Sequence, residues 1–286
     1  MSKVIGVITA RMASTRLPGK VMKKISGKTM FELIVERMKK VEGLNAVCLA
    51  TSDHPKNEVL IKEAKRLGCG WYAGAEQDVV ARHIVLCQQE EADAVIRVTC
   101  DCPIFDINSA SSFVKAFKKK WYDYIYVSNM TMVQGTLSEL ISYNALCNTH
   151  QFYRGPAITS YIKEHIHLFK TLGIEIDSDL CRPEYRSVVD EAVDLKVIRE
   201  IYQALYKGEP LDLHEVYAWL DDNPYIAEIN RHVTMKGVNK RSAEFTERPV
   251  YSIVESGKGY VILDAEKRMV KPLDFLRRLR KLFTEL

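Results

Sequence analysis

Apolar and polar positions follow two alternating periods along the first half of the chain. Residues 3–9 form an apolar run of strand length, and residues 46–50 and 94–99 repeat it. Between these runs, residues 29–38, 58–67 and 78–90 place apolar side chains three and four apart, the spacing of a helix that buries one face. Strands alternating with amphipathic helices predict an α/β fold, a doubly wound, mostly parallel sheet covered by helices on both sides. Beyond Asp106 the pattern loosens. It predicts a helix over 108–119, a strand over 124–127, and an excursion over 135–142 that lines a site or a subunit contact. A strand over 186–190 and a helix over 192–206 follow. The core domain is expected to span 1–230, and 231–286 to form a small appendage. There, strands at 250–254 and 259–263 read as a hairpin, followed by an amphipathic helix over 272–284.

Composition narrows the partners. A net charge of +4 on 286 residues does not imply nucleic-acid binding. No apolar run approaches the roughly 20 residues of a bilayer span, so no membrane insertion is expected. The first residues read as a strand rather than a signal peptide, which makes a cytoplasmic protein the expectation. Seven cysteines without paired spacing predict no disulfide framework. Cys100 and Cys102 lack a second close Cys or His pair, which speaks against zinc.

The chemistry concentrates after the first strand, where the chain enters a loop carrying Arg11, Arg16 and Lys20 with the hydroxyls of Ser14 and Thr15. Three cations, two hydroxyls and free backbone N–H groups suit a phosphate chain. Loops at the carboxyl ends of parallel strands are also where ligands bind in open α/β sheets. Asp101 and Asp190 each end a predicted strand, so both carboxylates can converge beside this loop, and hard oxygens suit Mg²⁺. Ordinary readings stand beside these: Asp101 can shape the turn before Pro103, Asp190 can cap the next helix, and Asp194 can favour its first turn. Arg97 lies within a strand and needs a partner, either Asp101 or a phosphate. Asp78 and Arg82 are four apart and can pair with each other. His165 and His167 read as surface residues.

The segment ARMASTRLPGK at 10–20 closely resembles the ARMGSTRLPGK opening of the SpsF-type spore-coat polysaccharide cytidylyltransferases, relatives of the CMP-sugar-acid synthetases. Residues 50–53, 74–83 and 97–103 resemble that family's ATSD, GSxxDVLxRY and RxTGDCP segments. The likeness is strong over 3–106 and fades beyond about residue 235. It implies a nucleotide-diphospho-sugar transferase-like fold and transfer of CMP from CTP to a small anionic acceptor. Under it, Ala10, Arg11, Ser14, Thr15, Arg16, Lys20, Thr51, Ser52, Asp53, Asp78, Arg82 and Arg97 would hold the nucleotide. Arg11, Arg16 and Lys20 would act in catalysis. Asp101 would hold Mg²⁺ together with a carboxylate of the VDxxxDL-like segment 189–195, for which Asp190 is chosen over Asp194. Gly135 and Glu139 stand where relatives carry a G-L-x-x-E segment and would face the acceptor. Relatives commonly pair, so a homodimer is expected. The departures are Ala13 and Cys100, each in place of a glycine, and the segments 135–140 and 154–159, the latter standing where many relatives carry an EH-V-T-like stretch, so the acceptor is expected to differ from that of familiar members. The rival readings are a metal-dependent glycosyltransferase consuming a nucleotide-sugar and a non-catalytic nucleotide-binding scaffold.

Overall fold

The computed structural model describes residues 2–128 and 133–233 in full and, beyond them, the backbone of strands at 244–245, 252–256, 259–263 and 269–270. The chain divides into two compact units, Met1–Glu244 and Phe245–Leu286.

In the first unit seven strands form one sheet: β1 (Val4–Thr9), β2 (Ala46–Ser52), β3 (Gly70–Gly74), β4 (Ala94–Thr99), β5 (Tyr124–Val127), β6 (Glu139–Ser142) and β7 (Thr171–Ile174). Their order is β7-β5-β6-β4-β1-β2-β3. β1 lies between β4 and β2, parallel to both, and its carboxyl end sits level with theirs. The period of two along β1 feeds two cores. Val4 and Ile8 pack with Phe31, Ile34 and Met38 of α1 (Met30–Lys39), with α4 (Ile107–Lys119) and with α7 (Ala192–Leu205). Ile5 and Val7 pack on the other face with α3 (Val79–Glu90), α5 (Tyr143–Phe152) and α6 (Ile158–Glu164). α2 (Glu58–Arg66) joins β2 to β3. Helix starts follow their caps: Thr29, Asp78 and Asp106 accept from backbone N–H groups of the first turns of α1, α3 and α4.

Two expectations are corrected. The excursion predicted over 135–142 ends in a sheet strand, β6, which runs antiparallel between β5 and β4 and is buried throughout. Its apolar signal is only Leu140-Ile141, too short to announce a central strand. The strand predicted over 186–190 is instead extended chain held by single bonds. Arg186 bridges Gln134, Ser187 N donates to Gln134 O (2.9 Å), and Val189 N donates to Asp101 O (2.8 Å). In the second unit the expected hairpin is present as Ser252–Ser256 antiparallel to Gly259–Leu263, with Met269–Val270 beside it. The helix expected over 272–284 lies outside the described residues. Among the described residues no helix is long and apolar enough to cross a membrane.

Candidate active site

Past Thr9, the chain turns into the basic loop, and one residue pins that loop. Met12 N donates to Asn57 Oδ1 (2.8 Å), while Met12 O accepts from Ser14 N (3.0 Å) and Gly19 N (3.1 Å). Asn57 is buried and its amide in turn donates to Ser52 O (2.9 Å) and Ser52 Oγ (2.7 Å), which locks the loop to the end of β2. Gly19 closes the loop at φ 65°, a left-handed conformation that favours glycine. Ala13, where the resembling motif has glycine, is outside that region, so its methyl group brings no backbone strain.

The loop forms one wall of a cavity of about 300 Å³. Ala10, Arg11, Ala13, Ser14, Thr15, Arg16 and Lys20 line it, facing Thr9, Thr99, Cys100, Asp101 and Asp190. Val21, Glu76, Val79, Arg82 and Pro156 complete the lining. At its centre the buried Lys20 Nζ lies 3.0 Å from Asp101 Oδ2, 3.2 Å from Asp190 Oδ1 and 2.7 Å from Val189 O. The carboxylates converge on a single cation, as expected, but Asp190 arrives on extended chain held to Asp101 by the Val189 N–H rather than at the end of a strand. Burial pulls the Lys20 ammonium down, and the two carboxylates more than reverse this, leaving it above its ordinary value. Burial alone would raise Asp101, but Lys20 holds it below the usual carboxylate range.

Arg16 reaches Asp190 Oδ1 (2.9 Å), and its other terminal nitrogen is buried, 3.6 Å from Glu191 Oε1 and without a hydrogen bond. Arg11 is exposed and pairs with Glu76 (2.7 Å). Arg82, only 3% exposed, donates to Glu76 O (3.2 Å) and keeps an unpartnered Nε. Buried guanidinium donors that make no hydrogen bond suit an anion in this cavity. Two carboxylates already gathered around one ammonium also fit a hard divalent ion that completes its shell with water and phosphate oxygens. Asp101 and Asp190 are the residues that can hold Mg²⁺. Asp194 cannot serve. It is wholly buried in the capping box that starts α7, accepting from Asp190 N and Glu191 N (2.9 Å each), Arg186 Nε (3.0 Å) and Asn230 (3.0 Å). Arg186 also donates to Asp190 Oδ2 (3.0 Å), so Asp194 holds Asp190 through a shared guanidinium.

Other candidates stand away from the cavity. Arg97 meets neither Asp101 nor the cavity lining. It faces its register partner Glu139, at 2.9 Å. Glu139 also accepts from Lys163 (2.7 Å) and Tyr124 (2.7 Å). Burial alone would raise its pKa, but these partners together hold it down to about 2. Gly135 has φ +99°, and a Cβ there would lie 2.4 Å from Val188 N, so its glycine is required by packing. Asp78 caps α3 and pairs with His150 (2.7 Å) rather than Arg82. Thr51 and Ser52 are buried behind the loop and Asp53 is exposed, and none of the three lines the cavity. The sequence reading missed Thr9, Val21, Glu76, Val79, Thr99 and Pro156 in the lining, and Asn57, Arg186 and Asn230 as supports. Glu76 lay inside a quoted segment, whereas the supports act through contacts that no spacing reveals.

A sequence profile described as cytidylyltransferase matches residues 5–211. The Methanocaldococcus jannaschii protein MJ1063 is 30% identical over 238 residues, covering 82% of this chain and 97% of that one. The spore coat polysaccharide biosynthesis protein SpsF of Bacillus subtilis is 25% identical over 233 residues, 78% and 96% of the two chains. A 3-deoxy-manno-octulosonate cytidylyltransferase of Hydrogenovibrio crunogenus is 25% identical over 239 residues, 75% and 96% of the two chains. Among solved structures, a cytidylyltransferase from Leptospira borgpetersenii superposes with a TM-score of 0.75 at 21% identity, over 83% of this chain and 100% of that one. That likeness carries the fold, and the profile spans the basic loop, Asp101 and Asp190 alike: the chain belongs to the cytidylyltransferase family.

Proposed function

We propose that this cytidylyltransferase moves CMP from CTP to an anionic acceptor, a sugar acid or sugar phosphate, and releases pyrophosphate. The observation that carries the reading is the single cavity in which the cations of the basic loop meet Asp101 and Asp190 around Lys20. The acceptor class, and a place in polysaccharide or glycoconjugate synthesis, rest on the names of the Bacillus and Hydrogenovibrio relatives. In the step itself an acceptor oxygen forms a bond to the α-phosphorus while the bond to the bridging oxygen breaks, and that oxygen leaves with pyrophosphate. Arg11, Arg16 and Lys20 hold the phosphates and stabilise the charge that builds on the leaving group. Ser14 and Thr15 orient the chain by hydrogen bonds. Asp101 and Asp190 would hold Mg²⁺, which would supply charge neutralisation at the phosphates. A carboxylate or phosphate acceptor is already ionised near neutral pH, so the reaction needs no strong general base, and the cavity lining contains no histidine.

The test is a panel of sugar acids, sugar phosphates and phosphonates incubated with CTP, Mg²⁺ and the full chain, with pyrophosphate as the readout. Pyrophosphate that forms only when an acid is supplied is the expected result. Silence across the panel, with CTP bound, overturns the transfer reading in favour of a binding scaffold.

A further inference from the structure

Thr9 and His83 form a hydrogen-bonded pair that the transfer step does not use. His83 sits in the first turns of α3 with no exposed surface, and its Nδ1 lies 2.9 Å from Val79 O. A carbonyl oxygen can only accept, so Nδ1 carries a proton. Burial, opposed only by that bond and reinforced by Arg97 and Arg82, pushes the imidazole down to about 3, which leaves one ring proton near neutral pH. Nε2 is therefore a bare acceptor, and its partner, 3.3 Å away, is Thr9 Oγ1. The hydroxyl has one proton, and His83 takes it. Thr9 lines the cavity, and toward a ligand its oxygen can then only accept.

We propose that Thr9, polarised in this way by His83, is a specificity residue that accepts a hydrogen bond from a donor on the bound nucleotide. This rests on the reading of the cavity as a CTP site. We confine the proposal to two of the donors that CTP carries. One is the exocyclic amine of cytosine, which uracil replaces with a carbonyl acceptor. The other is the ribose 2′-hydroxyl. A carbonyl placed against Thr9 would set two acceptors face to face, the kind of mismatch by which a polar site rejects an analogue.

Titration calorimetry on the full chain with Mg²⁺ and CTP, UTP or 2′-deoxy-CTP tests the proposal. The wild type should prefer CTP over at least one of the other two, and Thr9→Val, which keeps the shape and removes the oxygen, should shrink that preference by about five- to tenfold. Thr9→Ser should retain it. His83→Leu leaves every residue of the cavity lining unchanged in identity, yet it frees the Thr9 hydroxyl to donate, and it should narrow the same gap. A loss confined to the UTP comparison assigns the amine, and one confined to 2′-deoxy-CTP assigns the ribose hydroxyl. Should His83→Leu fail to fold, the two Thr9 variants decide alone. Equal wild-type affinity for all three nucleotides, or unchanged ratios in Thr9→Val, overturns the proposal. A wild type that binds no CTP at all undoes the nucleotide-site reading instead.

Discussion

Three aspartates, alike in charge, hold three different positions in this molecule. Asp101 and Asp190 share Lys20 at the cavity, whereas Asp194 is sealed between Arg186, Asn230 and two backbone N–H groups. Asp101→Asn should therefore cut pyrophosphate release by roughly a hundredfold or more, with little change in melting temperature. Asp194→Asn should do the reverse of a clean active-site variant. It leaves Arg186 buried without its main counter-charge, and urea unfolding should report a loss of about 3–5 kcal/mol. Glu139 sets a pH window. Its folded value of about 2 lies below its ordinary 4.5, so its pairing adds stability above that ordinary value and loses it as the pH falls toward 2. Acid unfolding of Glu139→Gln should be flatter across that interval, and an unchanged slope would remove Glu139 as its source. The VDxxxDL-like spacing displayed Asp190 and Asp194 as a pair without saying which faces solvent, because only burial separates a capping carboxylate from a ligand.

Among the elements, those with a full period were legible: β1, β2, β4 and helices α1 to α4 are found within a few residues of where apolar spacing places them. β6 was not, because a strand with four buried residues and a charged first position has no alternation to read. The run 186–190 misled for the opposite reason. Val188 and Val189 resemble a strand, yet Arg186 leaves the ladder to hold two aspartates. The basic loop was legible as chemistry but not as geometry, since its rigidity comes from Asn57 on another connection. Asn57→Ala removes the acceptor for Met12 N and the donor to Ser52, and should cost about 1–3 kcal/mol of stability. It should also raise KM for CTP more than it lowers kcat. The two effects are read from thermal melts and pyrophosphate kinetics, and an unaltered KM would show that the loop keeps its shape alone.

At the scale of the whole molecule, every cavity residue lies between Thr9 and Asp190, within the unit Met1–Glu244. Removing 245–286 should leave CTP binding intact by calorimetry. Light scattering of the full chain should report twice its 32.7 kDa, as a homodimer requires, and the same measurement on the shortened chain shows whether 245–286 supplies the joint. The Lys20 bridge has a consequence for how nucleotide enters. Before any ligand arrives, the carboxylates of the cavity already hold the ammonium and guanidinium groups that the phosphates require. On the proposed reading the site behaves as an ion exchanger: the phosphate oxygens of incoming CTP take Lys20 and Arg16 from Asp101 and Asp190, and the carboxylates so released are those that would hold a divalent ion. The charge of the cavity and ligand together is then redistributed rather than built up from bare cations. Salt titration of CTP affinity should accordingly give a shallower slope than three uncompensated cations would produce.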